Sequence, residues 1–173
     1  MRKFLLPFFL LGTILMMLVM SRTSATLKTP STPLGILNLE FAHNTDKATW
    51  ILNAWSPHDG TDNISAAKTN TYWDFLFLFF YAGFLFLACN RIATAIGGSM
   101  DKPGRIIARG ALLAGLLDVT ENAGMLFTLN GHVSSTITFC TTFVSVIKWC
   151  LALIAVLYLI TGLLVLAYRR IKY

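Results

Sequence analysis

Asp118, Glu121 and Asn122 stand at i, i+3 and i+4 inside an apolar stretch, so one helical turn carries two carboxylates and an amide on one face. Asp74 lies in the apolar stretch before it and Lys148 in the one after it. A charged side chain at the centre of a membrane helix costs about 2.5–3.5 kcal/mol, so each of these groups needs a partner or a wet cavity. Asp118 and Lys148 are each separated from the uncharged turn at Asn130-Gly131-His132 by roughly 18 Å of helix, which makes an ion pair between them the expectation. Thr138, Thr141, Ser145 and Lys148 recur at helical spacing and form a polar stripe leading to the same depth. Two chemistries follow. In the first, Asp118 with Lys148, and Glu121 with Asn122 and the hydroxyls, form a polar lock between two helices. In the second, Asp74, Asp118, Glu121, Asn122, Lys148, Ser145 and Thr141 line an intramembrane pocket in which carboxylates outnumber the ammonium and one of them carries a proton.

The elements that must position these residues are apolar. Of 173 residues, 55% are hydrophobic and 13% charged, where a soluble domain carries about 25% charged residues. With a mean hydropathy of +0.65, this balance excludes an ordinary soluble enzyme. Apolar runs over 4–20, 72–89, 110–129 and 136–168 read as four membrane spans. The fold class expected is all-α, a four-helix transmembrane bundle forming a single integral membrane domain. The first run also resembles a secretory signal, but at 4–20 it is longer than a usual signal core, which favours an anchor helix.

A loop of about 50 residues, 21–71, separates the first two spans and is expected to be extracytoplasmic. Within it, Ala48, Ile51, Leu52 and Trp55 share one face, with Thr45 or Asp46 as the N-cap, so a short interfacial helix is expected over 46–55. Glu40, Trp50 and Trp55 are the residues with which this loop would roof the pocket, the tryptophans lying in the headgroup zone. Orientation follows from the basic residues. Arg2, Lys3, Arg91, Lys102, Arg105, Arg109, Arg169, Arg170 and Lys172 fall on one side, against Arg22, Lys28, Lys47 and Lys68 on the other, which puts both termini in the cytoplasm.

Other chemistry finds little support. Glu40 and His43 are at i, i+3, with His58, Asp59 and His132 on the same side, but one Glu-x-x-His lacks the second copy of a di-metal bundle, so no metal and no other cofactor is expected. No GxSxG, P-loop or GxGxxG occurs, and the formal charge of +6 is not laid out as a basic stripe interleaved with aromatics, so no nucleic acid is expected as a partner. Cys89, Cys140 and Cys150 show no CxxC spacing and read as small buried packing residues.

Leu37 to Phe41, Trp50 to Trp55, the run Asp74-Phe75-Leu76-Phe77 with Tyr81, and Leu117-Asp118-Val119-Thr120-Glu121-Asn122 form a pattern over most of the chain. It resembles a family of small uncharacterised bacterial integral membrane proteins with four spans, a DFLF-like start to the second and an LD-x-x-EN run in the third. The resemblance implies a multi-pass protein of the bacterial inner membrane and brings no settled activity. The expected function is a non-enzymatic accessory or binding subunit contacting membrane lipids, a partner membrane protein or a second copy of the chain. The alternatives are a small ion- or proton-coupled transporter or channel subunit using the intramembrane carboxylates, and a membrane enzyme acting on a lipid headgroup.

Overall fold

The structure is a computed structural model that describes residues 2–57 and 62–172; His58 and Asp59 lie outside the described residues. In chain order the helices are α1 (Arg2–Thr23), α2 (Ile36–Glu40), α3 (Thr45–Trp55), α4 (Asn63–Ile96), α5 (Asp101–Leu129) and α6 (Ser135–Lys172), with single 3-10 turns at Ala25–Leu27 and Gly98–Met100. Among the described residues there is no strand. Four helices, α1, α4, α5 and α6, are long and apolar enough to cross a membrane.

The helices outrun the apolar runs that mark them. The 34 residues of α4 are roughly 51 Å long at 1.5 Å per residue, against a hydrocarbon core of about 30 Å. The helix starts where Asp62 caps it, its side chain accepting from the Ser65 amide at 3.0 Å, and it stops at Gly97, whose φ of +65° suits glycine. Residues 63–71 and 101–109 are therefore helical rather than loop, and the first connection is shorter than the hydropathy boundaries imply. Hydropathy reports the thickness of lipid, whereas caps decide where a helix ends.

Two seams organise the bundle. On α5, Gly104, Ala108, Ala111, Gly115, Asp118, Asn122, Met125 and Leu129 alternate steps of four and three, and all are buried. On α6 the same alternation runs through Thr138, Thr141, Ser145 and Lys148, and again through Ala155, Leu159 and Gly162. A repeat averaging 3.5 residues keeps one face turned to a neighbouring helix along its length. Small residues are needed because lipid tails supply no hydrophobic drive, so the helices must approach closely to gain van der Waals contact. A Cβ added at Gly115 would come 2.8 Å from the Ala82 Cβ, and one at Gly104 would come 2.6 Å from that of Ala93. These two approaches fix the antiparallel register of α4 and α5. The first helix packs on α4, where Phe9 rests on Gly83 and Phe80 on Gly12, and Asn70 donates to the Met20 carbonyl at 3.1 Å.

The connection between α1 and α4 folds back onto the bundle with a small core of its own. Leu27, Leu39, Ala42, Ala48, Ile51 and Trp55 pack with Ala67 of α4 and with Met125 and Leu129 of α5. The third helix covers the expected stretch, but its N-cap is Asn44 rather than Thr45 or Asp46, with the Asn44 side chain accepting from the Lys47 amide at 2.8 Å. Trp55 is fully buried instead of standing in a headgroup zone, since its indole N–H donates inward to Thr32 Oγ1 at 3.0 Å. Trp50 is half exposed and takes no part in this core. Of the cysteines only Cys89 is buried; Cys140 and Cys150 are exposed on α6, off the seam.

Candidate functional site: a buried acid–lysine cluster

The α5 and α6 seams bring their polar positions to one level. Lys148 Nζ donates to Glu121 Oε1 at 2.8 Å and to Asp118 Oδ1 at 3.0 Å, and Glu40 Oε2 lies 3.7 Å from it. Glu121 is fully buried, and Asp118, Lys148 and Glu40 are each at most 6% exposed. One ammonium therefore faces three carboxylates with water largely excluded. Charge-assisted bonds of this kind are short and strong, but they offset a desolvation cost of several kcal/mol per ion.

Asp118 is held from its other side by α4, where the Tyr81 hydroxyl donates to Asp118 Oδ2 at 2.8 Å. One level along the seam, Asn122 Nδ2 donates to Asp74 Oδ2 at 2.8 Å. Asp74 and Tyr81 stand seven residues apart, two turns along the same face of α4, and so meet α5 at Asn122 and Asp118 respectively. Asp74 thus joins the cluster through Asn122 and not through the lysine. The expected partnership of Glu121 with Asn122 and the hydroxyls is replaced, since Glu121 bonds Lys148 and Asn122 bonds Asp74. Adjacent residues on a helix point about 100° apart, which sends the two side chains to different neighbours.

Glu40 is the contribution of the α1–α4 connection. Gly35, with φ +60°, opens the five-residue α2, and Glu40 ends it. Its carboxylate accepts from Trp149 Nε1 at 3.2 Å. The Glu40 backbone carbonyl, left over at the helix end, accepts from Thr142 Oγ1 at 3.1 Å and lies 3.4 Å from Ser145 Oγ. Ser145 also donates to the Thr141 carbonyl at 2.8 Å, and Thr141 packs against Gly124. Both the side chain and the backbone of Glu40 are therefore docked on α6.

Of the residues expected to converge, Asp118, Glu121, Asn122, Lys148 and Ser145 are buried together; Asp74 joins at the edge, Thr141 supports Ser145, and Glu40 closes the top. Trp55 holds the connection's own core, while Trp50 stands outside both. Tyr81 and Trp149 were not foreseen as site residues. The seven-residue spacing from Asp74 was a usable signal for Tyr81, whereas nothing local distinguishes Trp149 from an interfacial tryptophan. Among the described residues no group of three or more His, Cys, Asp or Glu is arranged to hold a metal ion. His43 lies beyond the end of α2, so Glu40 and His43 do not share a helical face.

Chemically, the cluster is saturated at its cation and incomplete at its acids. Two of the three ammonium donors are taken by hydrogen bonds, and the third carboxylate, Glu40, stands 3.7 Å away, so Lys148 is turned toward acids of its own chain. Glu121 Oε2 and Asn122 Oδ1 are buried acceptors without a hydrogen-bond donor. Compared with protein-family models, curated proteins and solved structures, the chain matches none.

Proposed function

We propose that the chain is an integral membrane accessory or binding subunit without catalytic activity, contacting lipid or a partner membrane protein. The acid–lysine cluster is the latch that fastens the α1–α4 connection to the bundle. The observation that carries this reading is the closure of Lys148, which spends its charge on Asp118, Glu121 and Glu40, residues of two different elements of its own chain. A general acid or an oxyanion-stabilising group needs a donor directed at substrate, and this ammonium is directed at three carboxylates of its own chain. What the bundle presents outward is apolar, including Leu112, Leu116, Phe139, Phe143, Leu157 and Leu164. The asymmetry of basic residues favours both termini in the cytoplasm and the α1–α4 connection outside, in the inner membrane of a bacterium.

A second reading, an ion- or proton-coupled subunit, draws on the charge count. Glu40, Asp118 and Glu121 share one lysine, Asp74 adds a fourth carboxylate bonded only to Asn122, and Glu121 Oε2 has no donor. Native mass spectrometry of the full chain from mild detergent separates the readings when paired with flux in reconstituted vesicles. Retained phospholipid or a second membrane chain is the expected result. A bare monomer without lipid would overturn the subunit reading, and proton flux abolished by Glu121→Gln would replace it with the second.

A further inference from the structure

An open apolar groove of about 520 Å³ lies on the lipid-facing side of the bundle, away from the acid–lysine cluster. Its walls include Phe9 of α1, Phe86 and Leu87 of α4, and Leu112, Leu116 and Val119 of α5. The α5 wall continues past the groove without leaving its face. Val119, Leu116, Leu112, Arg109 and Arg105 follow one another at steps of three and four, a single row along the helix. With Gly115 opposite Ala82 and Gly104 opposite Ala93, Arg109 lies level with the last turn of the groove's α4 wall, near Leu87.

The two arginines differ in what they have to do. Arg105 is held by Asp101 at 3.1 Å. Arg109 is exposed and, among the described residues, makes no hydrogen bond or ion pair. This end of the bundle is strongly basic, with Arg91, Lys102, Arg105, Arg109, Arg169, Arg170 and Lys172 against one acidic side chain, Asp101, among the described residues. An apolar trough that ends at an unpaired guanidinium is complementary to one kind of molecule in a bilayer, an acyl chain joined to an anionic phosphate headgroup.

We propose that this groove binds an anionic phospholipid, with an acyl chain along Phe9, Phe86, Leu112 and Leu116 and the headgroup phosphate on Arg109. The assignment rests on the reading of the chain as a lipid-contacting membrane subunit and specifies which lipid and where. A juxtamembrane basic residue contributes about 1 kcal/mol toward an anionic lipid, which corresponds to about a fivefold change in affinity.

The test is native mass spectrometry of the full chain titrated with phosphatidylglycerol or, separately, phosphatidylcholine. One phosphatidylglycerol is expected to be retained about fivefold more tightly than phosphatidylcholine. Arg109→Gln should erase that preference, Arg170→Gln on α6, which does not line the groove, should keep it, and Leu112→Trp should weaken both lipids by filling the trough. Equal retention of the two lipids by the wild type, or a preference untouched by Arg109→Gln, overturns the site while leaving lipid contact standing. Loss of all lipid fails both readings together. A stable lipid-free dimer broken by Leu112→Trp would seat a second copy of the chain in the groove and also overturn the proposal.

Discussion

Lys148→Met is expected to destabilise the protein by about 3–5 kcal/mol, the range for removing one partner of a buried ion pair. Methionine fills similar space, so the loss is electrostatic. Asp118 Oδ1 and Glu121 Oε1 lose their donor, and Glu40, Asp118 and Glu121 are left to repel one another where water is largely excluded. Asp118 keeps its bond from Tyr81 and Glu40 its bond from Trp149, but Glu121 keeps no donor. For a chain of this size the thermal midpoint in detergent should fall by about 10 °C. Neutralising the acids should reverse much of this: the triple variant Lys148→Met, Asp118→Asn, Glu121→Gln should recover at least half of the lost midpoint, because a neutral set removes the uncompensated charges. A triple variant no more stable than Lys148→Met would mean that the lysine contributes through packing and not through charge.

Trp55→Ala should have an effect of similar size in a different place. The indole is fully buried in the core of the α1–α4 connection, among Leu27, Leu39, Ala48 and Ile51, and it reaches Met125 and Leu129 of α5 through that cluster. Truncating a buried tryptophan costs about 3–5 kcal/mol. Because the cavity opens within the connection, the loss should appear as rapid proteolysis within 24–57, while α4, α5 and α6 remain protected. Trp55→Phe separates bulk from hydrogen bonding. It keeps most of the apolar volume and gives up the indole N–H, a loss of about 1 kcal/mol. The Leu27 carbonyl is not orphaned by that change, since Thr32 Oγ1 donates to it at 2.8 Å. Equal proteolysis of the Ala and Phe variants would show that the hydrogen bonds, not the packing, hold the connection down.

The parts of the site that could be read from the sequence are those whose geometry is local. Asp118, Glu121 and Asn122 share a turn of one helix, so their common face followed from spacing alone. Lys148 followed nearly as well, because a short turn joins its helix to theirs and equal depth can be counted from it. Which acid bonds which donor was not legible. Glu121 and Asn122 are neighbours in sequence, yet one turns to α6 and the other to α4, and that division depends on how three helices are arranged. Glu40 belonged to an apolar loop without a helical period long enough to place it. Its position in the cluster comes from the φ of Gly35, from five residues of helix, and from hydroxyls on α6 more than 100 residues away. The buried role of Trp55 was hidden for the same reason, since tryptophan beside a membrane reads as an interfacial anchor until the segment is seen to carry its own core.

The small-residue seam explains why a polar cluster is tolerated at all. Gly104, Ala108, Ala111 and Gly115 bring α4 and α5 close together, and the next seam positions are Asp118 and Asn122, which inherit that closeness. Tyr81 and Asp74 can then reach across with bonds of 2.8 Å. Packing in one half of the bundle thereby sets the geometry of the ion network in the other.

Hydrogen–deuterium exchange over residues 36–55 of the full chain in nanodiscs, comparing wild type with Glu40→Gln, tests the latch most directly. The substitution keeps shape and removes the charge that faces Lys148 and Trp149. Faster exchange in α2 and α3 with α4, α5 and α6 unchanged is the predicted result. Unchanged protection of α2 and α3 would contradict the account, because the connection would then be held by its apolar core alone.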